Sequence, residues 1–195
     1  ALGGSYASGA DSLAAAIANN TSSYGATGAN SVAIGRQAKA TGSDGVAIGA
    51  FSQATAVRAV GLGETARATG TGAIALGSNG LASGPNSISI GLSKASGNQA
   101  VAIGGGFVTS SATASANESF ALGDNAKATE LGKYAYSSNG GFSASDRSQY
   151  GLLVLRSDTT DATPEALTSS NSAASTINQV ILPNNSAYFF SGTII

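Results

Sequence analysis

Few residues in this chain can do chemistry. It holds no histidine and no cysteine, so the common nucleophile–base pairs and most transition-metal sites lack their groups. Carboxylates remain, and a pair of them can carry acid–base work. Asp158, Asp161 and Glu165 share one acidic stretch, but they stand so close in sequence that a turn accounts for them. Lys39, Arg67, Lys94 and Lys127 occupy matching places along the chain, interrupted by Gln53 and Leu81. Such a column suits an anionic surface polysaccharide. It equally suits a solvated strand face that keeps edges from pairing with strangers, and acids at Asp44, Glu64 and Asp124 dilute it. Thr41, Thr55, Thr69 and Thr129, with Ser83 and Ser96, form a hydroxyl column, single where an ice-ordering surface would need a flat double array. The GSNG and GGG stretches lack the strand–GxxxxGK[ST]–helix context of a phosphate loop. No catalytic, cofactor-binding or metal-binding residue is therefore assigned, and no enzyme is expected.

The elements that position these columns come from an unusual composition. Among 195 residues there are 27 glycines, no Met or Trp, and 10% charged residues. Alanine is the commonest apolar residue. Ala and Gly bury little area each, at about 25 cal/mol per Å², so one thick core is not expected; a thin repeating core is. The net charge of −1 exerts no bulk pull toward nucleic acid or an anionic membrane. No apolar run approaches the roughly 20 residues of a membrane span. Neither nucleic acid nor membrane insertion is expected. The chain starts at Ala1 without Met and ends on the apolar Ile194-Ile195, which reads as a piece of a longer chain.

The repeat is plain. NSVAIG at 30–35 returns as GVAIG at 45–49, AVGLG at 59–63, AIALG at 73–77, SISIG at 87–91, AVAIG at 100–104 and SFALG at 119–123. The closing glycines step by 14, 14, 14, 14, 13 and 19 residues, and one more step of 14 reaches Ser137. Within the units, large and small residues alternate with period two: Val32-Ala33-Ile34, Val46-Ala47-Ile48, Val60 and Leu62 about Gly61, Ile74 and Leu76 about Ala75, Ile88 and Ile90 about Ser89, Val101 and Ile103 about Ala102, and Phe120 and Leu122 about Ala121. A second strand per unit carries Ala40, Ala54, Ala68, Ala82 and Ala128 between polar neighbours. Two strands and two turns in 14 residues make one coil of a narrow β-solenoid. Roughly ten coils about 4.8 Å apart would give a rod near 50 Å long. Val, Ile and Leu are expected to point into the coil, and the Ala/Gly/Ser column to point out against a neighbouring subunit.

These strands, the Ala-x-Ala-x-Gly strand and the 14-residue period resemble the head repeats of trimeric autotransporter adhesins, the YadA-like heads, which also occur in bacteriophage tail fibres. The resemblance covers about residues 1–137. It implies an all-β fold: a left-handed parallel β-roll of 14-residue coils, assembled as a homotrimer. Residues 138–195 are expected to form a separate β-rich unit that continues beyond Ile195, with heavier apolar runs at Leu152–Leu155, Val180–Leu182 and Tyr188–Phe190. Within it, TTDATPEALTS and NQVILPNNSAYFF are similar to segments of phage tail-fibre and virion proteins, over about 145–195. No heptads follow the repeats, as an autotransporter stalk would require.

The expected role is a structural and adhesive segment of a trimeric phage tail fibre or virion appendage involved in host attachment. Its partners would be its own copies, other virion tail proteins, and a host-surface receptor or glycan. The alternatives are a bacterial cell-surface adhesin head and the non-catalytic part of a polysaccharide-degrading tailspike. Two long steps, 18–30 and 105–117, hold apolar groups in polar surroundings. Tyr24, Phe107 and Val108 are the receptor-contact candidates, with packing back onto the roll or a neighbour as the other reading.

Overall fold

The computed structural model describes residues 5–15, 23–105, 111–138, 149–158, 161–180, 189 and 191–192. One sheet stacks the strands Leu13–Ala15, Val32–Ile34, Val46–Ile48, Val60–Leu62, Ile74–Leu76, Ile88–Ile90, Val101–Ile103, Phe120–Leu122 and Tyr134–Tyr136 in chain order, all parallel. Tyr150–Leu152 then joins antiparallel. The second sheet stacks Gly25–Ala26, Lys39–Ala40, Gln53–Ala54, Arg67–Ala68, Leu81–Ala82, Ser93–Ala95, Ala112–Ala114 and Lys127–Ala128. The described chain is thus an all-β solenoid of about eight turns, each turn giving one strand to each sheet.

Coil and repeat coincide. Val46 pairs with Val60, Val60 with Ile74, and Ile74 with Ile88 in register. The uneven steps leave the register intact: Ile88 pairs with Val101 after 13 residues, and Val101 with Phe120 after 19. Leu13 likewise pairs with Val32 across a step of 19. Each long step adds chain to a coil without adding a coil. The first sheet's nine parallel strands therefore span about 38 Å at a spacing of about 4.8 Å, shorter than a rod of ten coils.

The corners explain the glycines. Gly35, Gly49 and Gly63 have φ of 124°, 127° and 127°, a region closed to most side chains, and they end each first-sheet strand. Two residues later the chain turns again through positive φ, at Gln37 (55°), Phe51 (59°) and Thr65 (55°). The opposite corner uses Asn30, Asp44, Arg58 and Asn86 in the same way. For Phe51 and β-branched Thr65 this conformation is costly. It turns the backbone N–H toward the preceding coil: Phe51 donates to the Arg36 carbonyl at 2.8 Å and Thr65 to that of Ala50 at 2.9 Å. Corners are thus laddered from coil to coil as the strands are.

The packing reverses the expected orientation of the first-sheet strands. Ala33, Ala47, Ala75, Ala102 and Ala121 are fully buried between the sheets, together with Ala40, Ala54, Ala68, Ala82, Ala114 and Ala128 of the facing sheet. The large residues point out. Val46, Val60, Ile74 and Ile88 are half-buried, while Ile34, Ile48 and Ile90 are 36%, 38% and 37% exposed. The cause is the separation of the sheets. Two strands joined by tight corners lie so close that only methyl-sized groups fit. At Gly61 even a Cβ would sit 2.6 Å from the Gln53 carbonyl oxygen. Serines also enter the interior: Ser89 Oγ donates to the Ser93 carbonyl at 2.9 Å and Ser93 Oγ to the Ala102 carbonyl at 2.9 Å, whereas the buried Ser87 Oγ has no hydrogen-bond partner among the described residues.

Beyond Ser137 the parallel winding ends. Tyr150–Leu152 runs back along Tyr134–Tyr136, with Tyr134 opposite Leu152 and Tyr136 opposite Tyr150. After it, the described residues form turns and a single antiparallel bridge between Arg156 and Thr168. They are held by a polar knot: the buried Asn178 donates through Nδ2 to Ser170, Ser172 and the Ala173 carbonyl, and accepts from Ser175. Short polar side chains take the place of an apolar core there. The run at Leu152–Leu155 is largely solvent-facing, and residues 181–188 lie outside the described chain.

Candidate functional site

The roll presents two outward faces of opposite character. On the first sheet, Val32, Val46, Val60, Ile74, Ile88, Val101, Phe120 and Tyr134 stack in one column. Ile34, Ile48, Leu62, Leu76, Ile90, Ile103, Leu122 and Tyr136 stack in the other. No charged residue enters either column. The Phe120 and Tyr134 rings stack at 5.3 Å. Contiguous apolar surface on this scale marks an interaction face.

On the second sheet the outward rungs read Lys39, Gln53, Arg67, Leu81, Lys94, Thr113 and Lys127. A cation stands on every second coil, about 10 Å from the next at about 4.8 Å per coil. Two residues along each strand comes a hydroxyl: Thr41, Thr55, Thr69, Ser83, Ser96, Ser115 and Thr129. Neither column contains an acid. Among the described residues Lys133 forms an ion pair with Glu130 at 2.8 Å, outside these two columns. Arg36 lies instead over the Phe51 ring, 4.5 Å from its centre. That stacking was not legible from spacing, because the two residues meet only when successive coils bring their corners together.

The remaining candidates separate. Tyr24 is half-buried beside the Gly25–Ala26 strand. Phe107 and Val108 lie outside the described residues. The acidic stretch resolves into three local contacts. Asp158 accepts from Asn171 Nδ2 at 2.6 Å, Asp161 from the Thr163 N–H at 2.7 Å, and Glu165 from Ser157 Oγ at 2.6 Å. Hydrogen bonds from Thr163 hold the exposed Asp161 carboxyl below its ordinary value. A hollow of about 330 Å³ lined by Ser157, Glu165, Asn171 and Ser172 carries one ionisable group, Glu165. Among the described residues no cluster of acids could hold a metal ion, and no helix is long and apolar enough to cross a membrane.

Two residues of consequence escaped the repeat pattern. Glu130, buried at the last coil, accepts from the Thr129 hydroxyl at 3.0 Å and from Lys133. Gln149 meets Lys127 across 22 residues of chain. Neither pairing leaves a periodic signal.

No curated protein matches the chain. The family model described as "YadA head domain repeat (2 copies)" matches residues 26–52, 54–79, 82–106 and 110–129, together half of the chain. These stretches are the coils whose registers are described above, and the family is a surface-exposed, structural adhesin domain. The chain belongs to the YadA head domain repeat family.

Proposed function

We propose that this chain is a structural and adhesive segment of a homotrimeric surface fibre, and that the fibre is a phage tail fibre or virion appendage used in host attachment. The observation that carries the trimer is the double column from Val32 and Ile34 to Tyr134 and Tyr136, which one copy leaves open to water. YadA-like heads form trimers, and burying these columns between copies would satisfy them. The interface is then the Val/Ile face, since Ala47 and its counterparts are used up inside the roll. The mechanism is mechanical: a stiff rod sets distance and displays its outer faces in three parallel copies, which adds avidity to weak contacts. The second sheet's cation rungs supply the contact chemistry for an anionic host glycan.

The antiparallel Tyr150–Leu152 strand and the absence of heptads after the repeats favour the virion setting. A bacterial trimeric autotransporter adhesin is the second reading, supported by the family match. Light scattering at micromolar concentration should give three chain masses, and a monodisperse monomer overturns the proposal. Labelled protein that decorates bacterial cells supports the virion setting. Binding to animal matrix, with none to bacteria, supports the adhesin.

A further inference from the structure

We infer that the self-association face does not stop with the family repeats but continues onto the strand that follows them, so that Tyr150 and Leu152 meet a second copy of this chain. The inference rests on the reading of the Val/Ile columns as the interface between copies. Its own ground is register. Directly opposed residues of an antiparallel pair share a face, so Leu152 extends the column Phe120–Tyr134 and Tyr150 extends the column Leu122–Tyr136. Between them Gly151 stands opposite the buried Ala135, although on this edge strand Gly151 is itself exposed. Exposure rises along this end: Tyr136 is 43% exposed, Leu152 54% and Tyr150 62%. The columns also change chemistry, because Phe120, Tyr134, Tyr136 and Tyr150 replace the Val, Ile and Leu of earlier coils. Aromatic rings carry large apolar area at low conformational cost, which suits the end of an association face. The strand is held for this task, since both Gln149 hydrogen bonds to Lys127 fix its start on the second sheet.

The absence of cysteine makes a clean test. Three single variants of the whole chain, Ile48→Cys, Tyr150→Cys and Lys94→Cys, are treated at micromolar concentration with a short bis-maleimide and resolved by mass. Cross-linked copies from both Ile48→Cys and Tyr150→Cys, with none from Lys94→Cys on the opposite face, are the expected result. Linkage through Ile48→Cys but not Tyr150→Cys overturns the extension and leaves the repeat interface standing. Linkage through neither overturns both. A Tyr150→Cys thiol that resists a monofunctional maleimide yet yields no cross-link shows that this chain's own later residues cover the site, and also overturns the inference.

Discussion

Gln149 lays its side-chain amide against the backbone of Lys127: Oε1 accepts the Lys127 N–H at 2.6 Å, and Nε2 donates to the Lys127 carbonyl at 3.1 Å. One carboxamide thus does what the peptide of a further strand would do, and it closes the last rung of the second sheet. Gln149→Ala should cost on the order of 1 kcal/mol. Faster hydrogen exchange at the Lys127 amide, with the Ala47 amide unchanged, is the expected readout.

The inverted packing makes Ala47 and Ile48 behave in opposite ways. Ala47→Val adds two methyl-sized groups to a filled interior and should destabilise folding by about 1–3 kcal/mol. Ile48→Asp should leave the coil folded, because that side chain already faces out, but should prevent association. Circular dichroism with light scattering separates the two. Equal loss of fold in both variants would contradict the face assignment.

Gly49 tests the corner. With φ at 127° an alanine there is strained, and the following coil's Gly63 backbone blocks the added Cβ. Gly49→Ala is expected to lower stability by more than about 1 kcal/mol, whereas Ser43→Ala, on an exposed turn position, should be close to neutral in thermal unfolding.

The alternate-coil cations should be read out by salt. Arg67→Gln with Lys94→Gln is expected to elute from an immobilised anionic polysaccharide at clearly lower salt than the parent chain, with the same assembly mass. Exposed charges are screened within about 10 Å at 0.1 M salt, so the difference should vanish as salt rises.

Asp161 carries a modest pH dependence. Its carboxyl is held below the ordinary aspartate value by Thr163, so its contribution to the 161–163 turn is present above that value and is lost as pH falls through the lowered one. Titration followed by NMR should place the Asp161 midpoint below the ordinary aspartate value, and Thr163→Ala should raise it.

Strand positions and phase were legible because the repeat and the coil are the same length: Val46 and Val60 sit one period apart in sequence and one rung apart in space. The direction in which those strands face was not. An alternation of large and small residues reads identically whichever side is interior. The choice is made by the sheet separation, visible only at places such as Gly61 against the Gln53 carbonyl. The expectation of ten coils failed because the step of 19 between Val101 and Phe120 spans a single rung, as the step of 14 does. Gln149 and Glu130 act by contacts that occur once, and a single occurrence leaves no pattern to count.

Coil-to-coil hydrogen bonds, at the corners as well as in the strands, run nearly along the long axis. A pull on the two ends of one chain therefore loads them end-on, rung by rung, instead of sharing the load in shear. A lone roll stretched this way should give way one coil at a time. Each 14-residue turn would release about 40 Å of slack at about 3.3 Å per extended residue, less the rise it gave up. Three rolls joined along their apolar columns would have to peel together. Tensile strength in such a fibre then resides between the chains, and the alanine ladder inside each roll sets only its gauge.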